Sequence, residues 1–361
     1  MSASVVIIGG GPAGSACALG LAARGIDVTV VEGKAFPRVK VCGEFVSPAA
    51  TAVLESLVKP SELRACGARL VDELVVEEGT RELRWKMPEA AWVLSRRGLD
   101  EVLLEKVKLS GVKVVQPGVV KGVEYRSGDV LIDAPSRDIT TADLVVHADG
   151  LGRHDPAGPT PMRAGVVGRK CHLRVPCGVA GLRMRACDGA YVGLVQVEGG
   201  LATCALVARN DVVAHYGGDG DAMLAALWPG FDPAWRQGEW LSCGVAGSGY
   251  IRPGHARSFR IGNAAAAVEP VGGEGIGLAL WSGATLARML EPGDLRGTQE
   301  RFAGMYQQRL KWRKITCRAA AEVLMRPRVV RAVWPLVSAG RAGGVLICAW
   351  YGLSGKAMWA R

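Results

Sequence analysis

Val5-Val6-Ile7-Ile8 is an unbroken β-branched apolar run, which fits a strand buried on both faces. Ser15 to Arg24 is small, apolar and helix-compatible, and Val28-Thr29-Val30-Val31 is a second strand ending in Glu32. The pattern predicts a β-α-β unit within roughly thirty residues. Farther on, WVLSRRGLDEVLLEKVKLSGVKVV reads as a strand end, a helix from about Gly98 to Leu109, and a strand. ADLVVHADGLGR, residues 142–153, is another apolar strand, ending in Asp149-Gly150. Residues 155–250 are strand-like with glycine turns, and YVGLVQVEGGLATCALVARN predicts a hairpin around Glu198-Gly199-Gly200. SFRIGNAAAAVEPVGGEGIGLALWSGATLARML runs from strand to loop to helix, and residues 300–361 read as helical.

Between the first strand and helix lie Gly9, Gly11 and Gly14, spaced G-x-G-x-x-G, with Pro12 and Ala13 between the last two. Gly9 permits the tight turn, Gly11 lets backbone approach a pyrophosphate, and Gly14 lets helix pack on strand. The helix N-terminus then faces the phosphates with open N–H groups and its positive dipole end. Glu32 stands where a carboxylate accepts from a ribose hydroxyl, which disfavours a 2′-phosphate in this pocket. A dinucleotide site is therefore expected. Its lobe is assembled from separated segments with a β-rich insertion between them, whereas a simple NAD dehydrogenase more often keeps these strands contiguous. The discontinuity favours a flavin-binding fold.

The predicted fold class is α/β. A Rossmann-like FAD-binding lobe is drawn from residues 1–75, 96–154 and 251–292, and a β-sheet-rich substrate lobe from 76–95 and 155–250. Residues 293–361 form a basic helical segment.

Three segments together resemble the FAD-dependent oxidoreductases that include aromatic-ring hydroxylases and geranylgeranyl reductases. They are the opening GGGPAG with Glu32, HADG with Asp149 and Gly150, and IGNAAAAVEPVGGEGIGLAL at residues 261–280. The resemblance implies that the first binds the ADP half of FAD and that Asp149-Gly150 helps to bind FAD and NAD(P)H. In the third segment the family usually has Gly-Asp where this chain has Gly262-Asn263. Asn263 still accepts through its carbonyl but carries no charge. KVCGEFVSP, residues 40–48, is similar to a cysteine-glycine segment beside the flavin ring in the reductases, which makes Cys42 the candidate catalytic residue. AYVGLVQVEGG, residues 190–200, stands where those reductases carry a Tyr-x-Trp-x-Phe-Pro strand lining the substrate cavity. Tyr191 is retained, while Gly193 and Val195-Gln196 replace the Trp and the Phe-Pro. The Trp-x-Trp-x-Ile-Pro motif of tryptophan halogenases is absent.

FAD would supply the reactive ring, and the protein position, electrostatics and exclusion of water. Gly273, Gly275 and Ile276 open a helix whose N–H groups and dipole can stabilise charge on a reduced ring, with Pro270 packing near it. Glu274, in the first turn, is read as a solvated acid. By resemblance Arg96 lies near the FAD; Arg38 and Lys40 are further candidates to meet phosphate or NAD(P)H, and Gly33 and Gly43 complete the cofactor set. His147 is read as a core histidine.

Of the chain's 361 residues, 49% are hydrophobic and 22% charged, ordinary globular usage with an apolar lean. Ten cysteines without C-x-x-C pairs argue against zinc and against a disulfide framework, so no metal site is expected. The glycine run excludes a signal peptide at residues 1–20, and the uncharged stretch Ala342 to Gly355, fourteen residues, is too short to span a bilayer. A cytoplasmic protein, peripheral at most to the membrane's inner face, is expected.

The net charge of +10 is carried by one end. Residues 309–361 hold eleven Lys/Arg and one acid, Glu322, while residues 1–308 hold 33 of each sign. With Trp312, Trp334, Trp350, Tyr351 and Trp359 interleaved, this segment reads either as a surface for anionic lipid or an acidic carrier protein, or as a helical cap with solvated arginines. Nothing points to nucleic acid.

The expected activity is that of an FAD-dependent oxidoreductase taking hydride from NADH or NADPH. Monooxygenation of a small apolar or aromatic intermediate, free or carrier-tethered, ranks first, because the Tyr191 strand lacks the reductase's Trp and Phe-Pro. Reduction of a carbon–carbon double bond is the alternative, and a flavin-poor binding or scaffold protein stays open because of Asn263.

Overall fold

In the computed structural model, residues 3–134, 141–150, 161–247 and 253–338 are described. The first sheet has six strands in the order Gly254–His255, Ser258–Arg260, Leu144–His147, Ser4–Ile8, Asp27–Val31 and Lys113–Val115. All pairs are parallel except the hairpin of Gly254–His255 with Ser258–Arg260. Ile7 lies opposite Val30 on one side and Val146 on the other. Val5 to Ile8 are all buried, as a parallel strand with both faces covered requires.

A second, eight-stranded sheet runs Arg236–Ala246, Met162–Leu173, Ala202–Arg209, Ala190–Gln196, Leu182–Cys187, Arg69–Glu78, Arg81–Val93 and Phe45–Val46. It is antiparallel except where Leu182–Cys187 pairs with Arg69–Glu78. The expected hairpin is present, turning through Glu198–Gly200. A small third sheet joins Gly122–Tyr125, Val130–Asp133 and Thr141–Ala142.

The helices of the described residues are α1 (Pro12–Ala22), α2 (Thr51–Leu57), α3 (Pro60–Ala65), α4 (Arg96–Leu109), α5 (Asn210–His215), α6 (Gly220–Leu227), α7 (Glu274–Met289), α8 (Leu295–Leu324) and α9 (Pro327–Ser338). α5 and α6 interrupt the region read as strands throughout. None of the described helices is long and apolar enough to cross a membrane. The aromatic residues Trp350, Tyr351 and Trp359 lie outside the described residues.

The main core joins segments far apart in the chain. α1 packs on α7 through small residues: a Cβ at Gly20 would meet Ala287 Cβ at 2.6 Å, and one at Gly283 would overlap the Ala13 carbonyl. Phe259, Trp281, Phe302 and Tyr306 close this core in edge-to-face contacts. His147 is fully buried, with Nε2 2.9 Å from Tyr125 Oη, as a core histidine should be.

Candidate active site

The turn after Ser4–Ile8 is set by glycine. Gly9 has φ +108°, and a Cβ there would lie 2.6 Å from the Ala148 carbonyl oxygen and 3.0 Å from Asp149 N. A Cβ at Gly14 would overlap the Gly9 carbonyl. At Gly11, by contrast, its nearest neighbour within 4 Å would be Arg96 Nη2, at 3.8 Å. Gly11 caps α1 without a side-chain cap bond, and Pro12 occupies the first turn, so backbone N–H groups face outward. Ala13 abuts Gly262, whose Cβ would sit 3.0 Å away. Glu32 is buried at the strand end, accepting from Gly10 N (2.8 Å) and Lys34 N (2.9 Å). Gly33 follows, half-buried.

Cations gather beside this loop. Ser95 caps α4 by accepting from Gly98 N, which turns Arg96 inward; Arg97 stays exposed. The buried Arg96 guanidinium makes a two-armed bond to Asp100, 2.7 Å on each arm, and engages the Cys42 thiol. Arg38 lies 3.8 Å from both Glu32 and Asp100. Lys40 Nζ reaches within 3.3 Å of where a Gly150 Cβ would be, beside Asp149. Its pKa is pulled down to about 8, first by burial and then by Arg96 and Arg38. Its charge is therefore held below about pH 8 and lost above it. If Lys40 meets a phosphate, FAD affinity should be flat below pH 8 and fall up to about tenfold by pH 9. Titration of apoprotein with FAD at pH 6–9 checks this, and Lys40→Arg should flatten the profile.

The Cys42 segment meets the second glycine loop. A Cβ at Gly273, φ +64°, would lie 2.6 Å from Phe45 Cδ1. Cys42, half-buried, packs against the apolar cluster that includes Ala16, Ile276 and Leu280, and its Sγ accepts from Glu44 N at 3.4 Å. Gly43, Pro270 and Gly275 are exposed beside buried neighbours, so this face is reachable from solvent. Gly262 N donates to Ser282 Oγ at 2.8 Å, which holds Gly262-Asn263 against α7. Glu274 corrects its reading as a solvated acid. It is fully buried, accepts from Ser47 Oγ at 3.4 Å and lies 3.9 Å from buried Arg313 of α8, which covers the helix start.

Two clusters were not singled out from the sequence. Glu44, at φ +58° and fully buried, accepts from Arg96 N (2.7 Å), His172 Nε2 (2.9 Å), Lys170 Nζ and Thr203 Oγ1. Burial alone would raise its pKa, but His172 and Lys170 outweigh that and hold the carboxyl at about 2. This carboxylate clasps the Cys42 segment to the start of α4 and to the large sheet. The other cluster centres on buried Glu269, which accepts from Arg163 Nη1 (2.8 Å) and Tyr191 Oη (3.4 Å). Burial raises the pKa of Glu269, against the pull of Arg163, and raises that of the Tyr191 phenol as well. Tyr191 packs with Val271 of the second glycine loop.

The residues fit FAD. Gly9 and Gly14 form a cradle that any side chain would fill, α1 opens uncapped beneath it, and Glu32 stands at the adjoining strand end. Gly262-Asn263 and the Gly272–Ile276 turn lie across the α1–α7 contact.

Residues 3–83 match the pyridine nucleotide-disulphide oxidoreductase family. The menaquinone reductase of Mycolicibacterium smegmatis is 27% identical over 92% of this chain and 87% of its own. Two solved structures share the fold. A geranylgeranyl bacteriochlorophyll reductase-like protein from Thermoplasma acidophilum has a TM-score of 0.78 at 18% identity, covering 94% of this chain and 92% of its own. PqsL of Pseudomonas aeruginosa, described as a probable FAD-dependent monooxygenase, has a TM-score of 0.73 at 18% identity, covering 93% and 100%. Glycine cradle and sheet order together give the chain the fold shared by these flavoproteins, with a pyridine nucleotide-disulphide oxidoreductase match confined to residues 3–83.

Proposed function

We propose that this flavoenzyme reduces a carbon–carbon double bond in a lipophilic, isoprenoid or quinone-like substrate. The carrying observation is the placement of Cys42: a half-buried thiol beside Arg96, on the reachable face where the Cys42 segment meets the second glycine loop. The near full-length similarity to a menaquinone reductase supports a reductive reaction on a quinone-like substrate. It reverses the ranking drawn from the Tyr191 strand, because the Trp and Phe-Pro missing there shape a cavity wall and leave the thiol's position unchanged.

Bound FAD would supply hydride transfer, with NADH or NADPH as its source. Gly9–Gly14, Glu32, Arg96 and Lys40 would hold the ADP half, and Gly262, Asn263 and the turn at Gly273–Ile276 the flavin half. Reduction of a double bond adds a hydride to one carbon and a proton to the other. Cys42 Sγ–H is the donor proposed for that proton, recovered afterwards from solvent on its open side. Arg96 orients the thiol, and the apolar cluster around Ile276 shields its inner side from water. Tyr191 and Glu269 form the buried wall beneath the loop.

Cys42→Ser should lower double-bond reduction about 10²–10³-fold while leaving flavin content and NAD(P)H-dependent flavin reduction nearly unchanged. Anaerobic turnover with a menaquinone or a geranylgeranyl lipid, products read by mass, tests both statements. A product carrying one added oxygen, formed only in air, would instead establish monooxygenation, the reading favoured by the PqsL-like fold.

A further inference from the structure

We propose that the outer face of α8 and α9 docks on the surface of an anionic lipid bilayer, so that the site draws its substrate from the membrane. The statement about substrate rests on the reading above; the docking surface does not. Among the described residues, eleven large apolar side chains are well exposed, and six of them fall between Trp312 and Leu336. On α8, Trp312, Ile315 and Val323 recur at i, i+3 and i+11, one face of a helix. On α9, Val329, Val333 and Leu336 recur at i, i+4 and i+7. Leu336 is 64% exposed and Trp312 57%.

Cations border this apolar face. Residues 309–338 carry eight Lys/Arg and one acid, while residues 1–308 sum to zero. Lys311, Arg318, Arg326, Arg328 and Arg331 are all exposed. Exposed apolar side chains bordered by arginine and lysine on amphipathic helices, with no described helix long and apolar enough to cross the bilayer, match an element lying in the headgroup region. An acidic protein would be drawn by the same charge, but six scattered aliphatic and indole side chains suit a fluid apolar layer better than a shaped protein surface.

The opposite face of α8 builds the site. Arg313 covers Glu274, a Gly272 Cβ would lie 2.9 Å from Cys317 Sγ, and Glu322 accepts from Arg163 Nη2 at 2.9 Å, which in turn holds Glu269. Ala321 and Met325 pack with Tyr191 and Val271. α9 is tied down by Arg331 to Glu78 at 2.6 Å. One helix thus walls the loop on its inner side and presents the docking face on its outer side, which leaves a short path from lipid to site.

The test is cosedimentation of the full-length, FAD-loaded protein with phosphatidylcholine vesicles, with and without 30% phosphatidylglycerol. Binding at least about tenfold stronger to the anionic vesicles, and weakened by salt, is expected. The triple variant Trp312→Glu, Ile315→Glu, Leu336→Glu should lose about tenfold or more of that binding. It should keep its flavin absorbance and far-UV circular dichroism, since all three side chains are exposed. Wild-type protein left in the supernatant, unchanged binding by the variant, or capture by an acidic carrier protein without vesicle binding would each overturn the proposal. Reduction of a detergent-dispersed substrate without vesicle binding sinks the docking surface alone. Vesicle binding with no double-bond reduction supports the surface and sinks the catalytic reading.

Discussion

Replacing Lys170 with methionine should destabilise the protein by about 3–5 kcal/mol, because it strands a buried carboxylate without its charge partner. Lys170 is fully buried, and its ammonium donates to Glu44 and to the Lys40 carbonyl at 3.3 Å. Methionine keeps most of the stem volume and removes the charge. Glu44 would still accept from Arg96 N, His172 and Thr203, so the loss falls short of that for a naked ion. Denaturant midpoints at pH 7 measure the effect. Adding Glu44→Gln should recover a large part of it, since a neutral amide no longer needs the ammonium. The pH dependence has a defined sign. The Glu44 carboxyl is held at about 2 against an ordinary 4.5, so its contribution is present above pH 4.5 and is lost as pH falls through about 2. Stability of the wild type should therefore fall more steeply than that of Lys170→Met across this acid window. Equal slopes would remove the clasp from the account of stability.

Gly14→Ala should abolish retention of FAD, with apparent affinity down at least about 100-fold and marked destabilisation. The added carbon would overlap the Gly9 carbonyl oxygen and come within 3.0 Å of the Gly9 carbonyl carbon, both backbone atoms that cannot rotate away. α1 would have to lift off the strand, and its N–H groups would leave the phosphate position. Gly11→Ala is the informative contrast. Its Cβ would meet only Arg96 Nη2 at 3.8 Å within a 4 Å radius, so the chain should fold normally. Loss of flavin from a normally folded Gly11→Ala would place the pyrophosphate against Gly11, and full retention would move it elsewhere. The ratio of flavin to protein absorbance after gel filtration reads both variants.

Much of the architecture was legible because it follows local pattern. The doubly buried strand of Val5 to Ile8, the glycine spacing and the Glu198–Gly200 turn each carry their own signal within a few residues. The helix expected from Gly98 begins two residues earlier because Ser95 caps it, placing Arg96 inside. The polar partners were not legible in the same way. Glu274 reads as a wet first-turn acid until Arg313, 39 positions later, closes over it. Glu44 gathers Lys170, His172 and Thr203 from 126 to 159 residues away, and no periodicity announces such a meeting. Its one local sign is a left-handed backbone at a non-glycine residue, and that is a property of conformation. Glu269 lies inside the third glycine-rich segment, but its partners Arg163 and Tyr191 come from other elements, so nothing local marks it.

The α1–α7 contact has a consequence for how the protein is made. Gly20 and Gly283 accept Ala287 and Ala13 across more than 260 residues of chain, so the helix beneath the dinucleotide loop lacks its neighbour until those residues have been made. At ribosomal rates that interval is on the order of tens of seconds. The nascent first β-α-β unit must wait through it with an uncovered apolar face and no flavin. Cofactor capture is thus expected only after α7 has been made, and a chain truncated before residue 283 should emerge colourless and in need of a chaperone.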